Sequence, residues 1–175
     1  FTPYMLPDFA HENEGAYNAY VPTFDASLIC LDKKNIAPDG ESAVEPCDLY
    51  KADNGVAHYI HVKTGTRSSL LSHLFNQGVN SIVLLNSEDA SQEKMQELIK
   101  TVAPHELVDD YLTAINSKRA KVVFAIISDK DAALKSKILP LFSRISLKRA
   151  IQSLKSMNVE YTVTIVKDLS HNDHK

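Results

Sequence analysis

Two neighbouring segments in the first third of the chain carry one acidic and two basic side chains at strand spacing. Asp48 lies in the segment 44–50, and His61 and Lys63 lie in the segment 56–63. Side chains two residues apart on a strand share a face, so we expect His61 and Lys63 to face Asp48 across the pair. A carboxylate binds Mg²⁺, and an ammonium group orients water and offsets the charge that develops on a phosphate. These residue types favour metal-dependent hydrolysis of a phosphodiester.

A tight turn positions these two segments. Residues 53–55 read Asp-Asn-Gly, and Asn and Gly tolerate the positive φ angles of a two-residue hairpin. An apolar segment over 26–31 predicts an earlier strand, and residues 35–42 have the composition of a turn. A short helix is predicted over 12–20. The first third of the chain is therefore expected to form a helix followed by a three-strand meander.

Helical periodicity dominates the rest of the chain. Leu70, Leu71, Leu74 and Phe75 have helical spacing within a predicted helix over 68–77. The pattern predicts further helices and strands, and the order of these elements predicts an α/β fold with a mixed β-sheet flanked by helices. The apolar run 82–85 either extends the helix predicted over 68–77 or forms a strand. Further helices are predicted over 90–102, 105–116 and 146–157. A strand covered on both faces is predicted over 121–127, and a last strand over 161–166.

This order of strand, Asp, hairpin, Lys-bearing strand and helix resembles the PD-(D/E)xK nuclease superfamily, which has the restriction-endonuclease-like fold. Asp48 matches the Asp of that motif, His61-Val62-Lys63 matches (D/E)xK, and Glu14 matches the acidic residue of the preceding helix. The longer strings E-x-C-D-L (45–49), H-V-K (61–63) and S-S-x-L-S-H-L-F-x-Q-G (68–78) are similar to a sporadically distributed bacterial family. That resemblance spans about residues 14–166.

The resemblance implies a nuclease that hydrolyses DNA, or alternatively RNA, with Mg²⁺ or Mn²⁺. Asp48 would coordinate the metal with the help of Glu14 or Glu45. In a regular strand Glu45 is out of phase with Asp48, so its participation requires a bulge. His61 stands where the motif has Asp or Glu, and imidazole is a poorer Mg²⁺ ligand than a carboxylate. We therefore expect His61 to act as a metal ligand or as a proton carrier.

The remaining catalytic expectations concern Lys63 and the helix that follows it. Lys63 would position the attacking water and offset charge on the pentavalent phosphate. Gln77 would be a positioning residue, and polar side chains on the same helix face would touch phosphate or water. Basic and polar residues that could follow a nucleic-acid backbone are Arg67, Ser69, His73, Lys118, Arg119, Arg144, Lys148 and Lys155. A solvated polar helix face is the alternative interpretation of these positions.

Composition limits the classes of protein. A chain of 175 residues, 44% hydrophobic, can bury its own core, and a net charge of -3 argues against a polybasic binder. No apolar run approaches the roughly 20 residues that span a bilayer. Cys30 and Cys47 are too few for a four-ligand zinc site, and two reduced thiols favour a cytoplasmic location.

We expect a single nuclease-like domain over residues 1–175, with a core over about 12–128 and a C-terminal helix–strand extension over 129–167. Because the chain starts at Phe1, we expect it to be part of a longer protein with an additional N-terminal domain. Residues 171–175 are predicted to be a polar tail. The expected partners are nucleic acid, with DNA favoured, and a second copy of the chain; no membrane is expected. The alternative functions are a catalytically inactive binding module of the same fold and a structural α/β domain. Restriction or phage defence is the biological role that resemblance to a sporadically distributed family implies.

Overall fold

A computed structural model describes residues 1–170, so the polar tail predicted at 171–175 lies outside the described residues. After the first hairpin, three α-helices precede the next strand, and one further α-helix precedes the strand after that. The strands are β1 (Ile29–Cys30), β2 (Leu49–Asp53), β3 (Val56–Thr64), β4 (Ala120–Ser128) and β5 (Glu160–Lys167). The helices are α1 (Glu14–Phe24), α2 (Ser68–Ser87), α3 (Asp89–Val102), α4 (Val108–Asn116) and α5 (Leu141–Ser156), with 3₁₀ segments at His105–Leu107 and Ala132–Ile138.

The five strands form one mixed sheet in the order β1-β2-β3-β4-β5. The β1–β2 and β2–β3 pairs are antiparallel, whereas β3–β4 and β4–β5 are parallel. The predicted α/β class with a mixed sheet flanked by helices is therefore confirmed. Since β3, β4 and β5 run in one direction, their C-terminal ends meet at the same side of the sheet, which we call the carboxyl edge.

The hairpin that joins β2 to β3 has the geometry that its sequence predicts. Asn54 and Gly55 both have positive φ angles, 49° and 74°. This combination is that of a type I′ turn, whose twist matches that of the flanking strands. The turn fixes the register in which Leu49 lies opposite Ile60.

Helices cover both faces of the sheet. On one face α1 contributes Tyr17 and Val21 to a core that includes Ile60 of β3. On the other face α2 and α5 pack on a larger core that includes Phe75 of α2 and Phe124 of β4. The side chains of β4 from 122 to 127 are fully buried on both faces, as the apolar run predicts.

Helix α2 approaches β4 closely at Gly78. A Cβ atom at this position would lie 2.5 Å from the ring of Phe124, whose side chain is fully buried. Glycine therefore allows the helix to sit near the sheet. The apolar run 82–85 continues α2 because Ile82 and Leu85 extend the buried side of this helix.

Several boundaries differ from the sequence-based expectation. The strand predicted over 44–50 begins only at Leu49, because Pro46 has no N–H for a strand ladder and Asp48 lies at a bend. The strand predicted over 26–31 is reduced to two residues, since Ser27 is tied to the Asp25 carboxylate by two hydrogen bonds of 2.9 and 2.7 Å. α1 continues through Pro22 to Phe24, and α5 begins five residues before the predicted start at 146.

The segment before α1 is anchored on the last strand. The N–H of Phe9 donates to the carbonyl of Lys167 at 2.8 Å, and the N–H of Leu169 donates to the carbonyl of Phe9 at 2.8 Å. Phe9 itself is buried in the α1-side core. The start of α1 is thus held against the carboxyl edge from the side of β5.

Candidate active site

Lys63 and Glu14 form an ion pair at the carboxyl edge. Lys63 is the penultimate residue of β3, and Glu14 is the first residue of α1. The Lys63 Nζ lies 3.0 Å from the Glu14 Oε2, and the Thr64 N–H donates to the Glu14 Oε1 at 2.9 Å. Both carboxylate oxygens of Glu14 are therefore engaged. They lie at the N-terminal, positive end of the α1 dipole, where the Asn13 side chain caps the helix.

Asp48 is held at the bend that precedes β2. Its backbone N–H donates to the carbonyl of Ile60 at 3.0 Å, and its carbonyl accepts from the N–H of Leu31 at 2.8 Å. Its side-chain Oδ2 accepts from the backbone N–H of Val62 at 2.6 Å. The carboxylate is therefore positioned from both neighbouring strands rather than by a flexible loop.

Three carboxylates converge around this position. One oxygen each from Asp32, Glu45 and Asp48 lies within 4.8 Å of the others, and all three side chains are half-buried. We call these three residues the acidic cluster. Because Asp48 lies at a bend, Glu45 reaches the cluster without the strand bulge that a regular strand would need.

The acidic cluster lies beside the start of α1. A Cβ atom on Gly15 would lie 3.5 Å from the Asp32 Oδ2, so this carboxylate rests against the first turn of the helix. Glu14 is also near enough for its charge to raise the pKa of Asp48. Four carboxylates and the Lys63 ammonium group therefore share one region of the carboxyl edge.

Asp48 is hard to ionise in this environment. Burial is the largest cause, and it raises the pKa of Asp48 from 3.8 to about 7. The negative charges of Asp32, Glu45 and Glu14 act in the same direction, and the hydrogen bond from Val62 opposes them. A cation among these oxygens would favour the ionised form of Asp48.

The donor set fits a hard divalent cation. All three members of the acidic cluster offer carboxylate oxygen, which Mg²⁺ and Mn²⁺ prefer over imidazole or thiolate. Beside Glu14 the surface opens into a groove of about 630 Å³. His11, Asn13, Gly15 and Thr64 also line this groove, which offers space for a substrate next to the ion pair.

His61 does not join this group. Its side chain is only 3% exposed, and its ring packs 6.4 Å from that of Phe124, on the α2 side of the sheet. Burial lowers the pKa of His61 to about 4, so the imidazole is neutral at pH 7, and its Nε2 has no hydrogen-bond partner. The expected approach of His61 to Asp48 is therefore not found. Lys63 is two residues further along β3, so its side chain leaves the strand on the same face as His61. It lies near the end of the strand, however, and its longer side chain reaches Glu14.

The expected direct contact between Lys63 and Asp48 is also absent. Within residues 1–170 no hydrogen bond or ion pair joins the two side chains. Glu14 links them, because it contacts Lys63 and its charge acts on Asp48.

The polar face of α2 lies away from the acidic cluster. Ser69 and His73 are exposed and Gln77 is half-buried, but in the described part of the chain none of them bonds to the cluster or to Lys63. The hydroxyl of Ser72 instead lies 2.9 Å from that of Ser146, which joins α2 to α5. These residues are on the opposite face of the sheet from α1, which explains their separation from Glu14.

The predicted nucleic-acid-binding residues divide between two ends of the sheet. Lys118 and Arg119 precede β4, so they lie at the end away from the carboxyl edge, and β4 is roughly 25 Å long. Lys155 lies at the end of α5, where its Nζ is 5.9 Å from the Tyr161 ring centre. Arg67 and Arg144 are exposed at the carboxyl edge, where α2 and α5 begin; Lys148 is exposed one turn further along α5.

Asp32 is the acidic residue that sequence reasoning missed. It comes two residues after Cys30, whose partner in the β1–β2 register is Leu49. Continuing this antiparallel pairing brings residues 31 and 32 beside Asp48. An acidic residue directly after the first apolar strand was the available signal.

No helix among the described residues is both long and apolar enough to cross a membrane. Comparisons with curated proteins and with solved structures find no match. One family model matches residues 1–167, which is nearly the whole chain. The protein therefore belongs to the family described as "Family of unknown function (DUF6119)".

Proposed function

We propose that the protein is a metal-dependent nuclease that hydrolyses phosphodiester bonds, with DNA the favoured substrate and RNA the alternative. The observation that carries this proposal is the convergence of the acidic cluster with the Glu14–Lys63 ion pair at one edge of the sheet. Carboxylates that can hold a divalent cation, beside an ammonium group that can contact phosphate, are the components of metal-assisted hydrolysis.

The residues of this chain divide the chemistry between them. Asp48, Asp32 and Glu45 would hold Mg²⁺ or Mn²⁺, and the bound cation would neutralise phosphate charge and acidify a water molecule. Lys63 donates hydrogen bonds to the attacking water or to a phosphate oxygen and offsets the negative charge that develops there. Glu14 acts through Lys63, because it fixes the position of the ammonium group at 3.0 Å.

The topology supports a restriction-endonuclease-like arrangement. Glu14 begins the helix before the meander, Asp48 precedes the hairpin, and Lys63 lies near the end of the strand that leads to α2. This order is the one on which the resemblance to PD-(D/E)xK nucleases rests. Restriction or phage defence is the biological role that we propose with it, in the cytoplasm, where the two free cysteines would stay reduced.

The test is cleavage of plasmid and single-stranded DNA with Mg²⁺ or Mn²⁺, repeated in EDTA. Asp48→Asn and Lys63→Ala should each lower the rate by about 100-fold or more, because each removes a charge used at the reacting phosphate. Asp109→Asn and Lys100→Ala are matched controls, since both side chains are exposed and outside the site. Cleavage that survives EDTA, or that both site variants leave unchanged, would refute the assignment.

The second candidate is a catalytically inactive nucleic-acid-binding module. The observation that favours it is His61, which occupies the second acidic position of the motif and is buried and neutral. Asp32 supplies a carboxylate that could replace that ligand, and for this reason we prefer the catalytic function. Binding of DNA by the wild type without metal-dependent cleavage would establish the module instead.

A further inference from the structure

Large apolar side chains are exposed at the start of α5. Phe142 is 71% exposed, Leu141 is 59% exposed and Ile145 is 41% exposed. Leu134, in the preceding 3₁₀ segment, is 48% exposed. We call these four residues the apolar strip. Single exposed apolar residues are ordinary, but Ile145 is four residues from Leu141 and three from Phe142, so these three side chains are neighbours on the surface of α5. A contiguous exposed apolar patch marks a surface that binds something.

The apolar strip lies within the most basic part of the chain. The segment 129–149 contains six basic and two acidic residues, whereas the whole chain has a net charge of -3. The basic residues are Lys130, Lys135, Lys137, Arg144, Lys148 and Arg149, and all six are exposed. Within residues 1–170 none of them forms an ion pair with a carboxylate, so their charges remain available to a polyanion.

The strip is on the same edge of the sheet as the candidate active site. The 3₁₀ segment and the first turn of α5 follow β4 at the carboxyl edge, where Lys63 also lies. The Lys130 Nζ lies 3.1 Å from the hydroxyl of Thr66, in the loop that joins β3 to α2. The same Nζ donates to the carbonyl of Ile138 at 3.4 Å, so Lys130 joins the loop that follows Lys63 to the 3₁₀ segment that leads into α5.

We propose that the apolar strip and its basic neighbours bind a single-stranded stretch of nucleic acid, with a base stacked on Phe142 and phosphates bound by Arg144 and Lys148. This inference rests on the proposed function, because it names the form of substrate that the active site would receive. An exposed aromatic ring among unpaired cations is the arrangement that binds unpaired bases, since every base has a face that can stack. A duplex keeps its bases stacked internally, so it would use the cations but not the ring. A second copy of the chain, with the same net basic segment, would bring like charges together at this surface.

The experiment measures binding separately from cleavage. Fluorescence anisotropy in EDTA compares single strands of DNA and RNA with a DNA duplex of equal length, roughly 12 nucleotides. Phe142→Ala should weaken binding of the single strands by roughly 5- to 150-fold and leave duplex binding unchanged. Phe24→Ala is the matched control, because Phe24 is 50% exposed at the end of α1 and should have no effect. Arg144→Ala should weaken binding of both single strands and duplex and reduce its salt dependence.

Equal binding of single strands by wild type and Phe142→Ala would overturn the inference, as would an equal loss for duplex. Sedimentation that shows a wild-type dimer and a Phe142→Ala monomer would also overturn it, since a second copy would then cover the strip. Failure of the proposed function is distinguishable from these outcomes. If the protein never cleaves but Phe142→Ala weakens single-strand binding, the proposed function fails and this inference stands. If Asp48→Asn abolishes cleavage but Phe142→Ala leaves single-strand binding unchanged, this inference fails and the proposed function stands.

Discussion

Replacing Asp48 with Asn should stabilise the fold, by an amount that grows with pH. The folded protein raises the pKa of this carboxyl from 3.8 to about 7, so the folded state binds its proton more tightly than the unfolded chain does. Relative to Asn, the wild type therefore loses stability as the pH rises from about 4 to about 7. Asparagine retains an oxygen that can accept the Val62 N–H, but it carries no charge to bury.

The size of this effect follows from the pKa difference. One pH unit corresponds to about 1.4 kcal/mol, so the cost of ionised Asp48 at pH 8 has an upper limit of about 4 kcal/mol. Between pH 5 and pH 8 the advantage of the Asn variant should grow by about 2–3 kcal/mol, because most of the change falls between pH 5 and pH 7. Titrating groups that do not interact with Asp48 are common to both proteins, and their contributions cancel in the comparison.

The assay is urea unfolding of wild type and Asp48→Asn in EDTA at both pH values. Asp109→Asn is the control, since its carboxylate is exposed and outside the acidic cluster. Mn²⁺ added at pH 8 should raise the stability of the wild type and have much less effect on Asp48→Asn, because a ligand of the folded state stabilises it. An advantage of the Asn variant that is equal at pH 5 and pH 8 would refute the reasoning about burial and neighbouring carboxylates.

Three further substitutions test other parts of the structure. Gly78→Ala should lower the free energy of unfolding by about 1 kcal/mol, since the clash with the sheet outweighs the better helix propensity of Ala. Asn80→Ala, on the exposed side of α2, is the control and should not lower it. Thermal unfolding measures both variants. Glu14→Gln should reduce cleavage by about 10-fold or more through misplacement of Lys63 but change stability by less than about 1 kcal/mol, because the ion pair is partly exposed; equal cleavage by this variant and wild type would contradict the role of Glu14. His61→Leu should preserve metal-dependent cleavage and stability, since the imidazole is neutral, buried and unpartnered. Loss of cleavage by a stably folded variant would show instead that His61 takes part in the reaction.

Much of the fold follows from local signals in the sequence. The Asp-Asn-Gly turn fixed the hairpin, and the continuous apolar run of β4 indicated a strand buried on both faces. These signals succeed because they depend on residues close together in the chain. The start of β2 was placed too early, because the apolar pattern includes Pro46. Proline has no N–H, so the hydrogen-bond ladder of the strand cannot continue through it.

The candidate site was only partly accessible to sequence reasoning. Asp48, Lys63 and Glu14 were identified from motif order, and the structure brings all three to one edge. Asp32 was missed because its position depends on how β1 pairs with β2. His61 was assigned to the site from strand alternation and from its place in the motif, and neither shows which face of the sheet an adjacent helix will bury.

The anchoring of Phe9 on the last strand has a consequence for the order in which the molecule is completed during synthesis. Every side chain of the candidate site is translated by residue 63, yet the segment leading into α1 is held by backbone bonds to residues 167–169. Glu14 itself bonds to Lys63 and Thr64 of β3, but the segment that leads into α1 gains its backbone bonds to residues 167–169 only after β5 has joined the sheet. A ribosome-bound chain that lacks β5 would therefore contain the acidic residues of the site but not the backbone bonds that anchor the segment before α1.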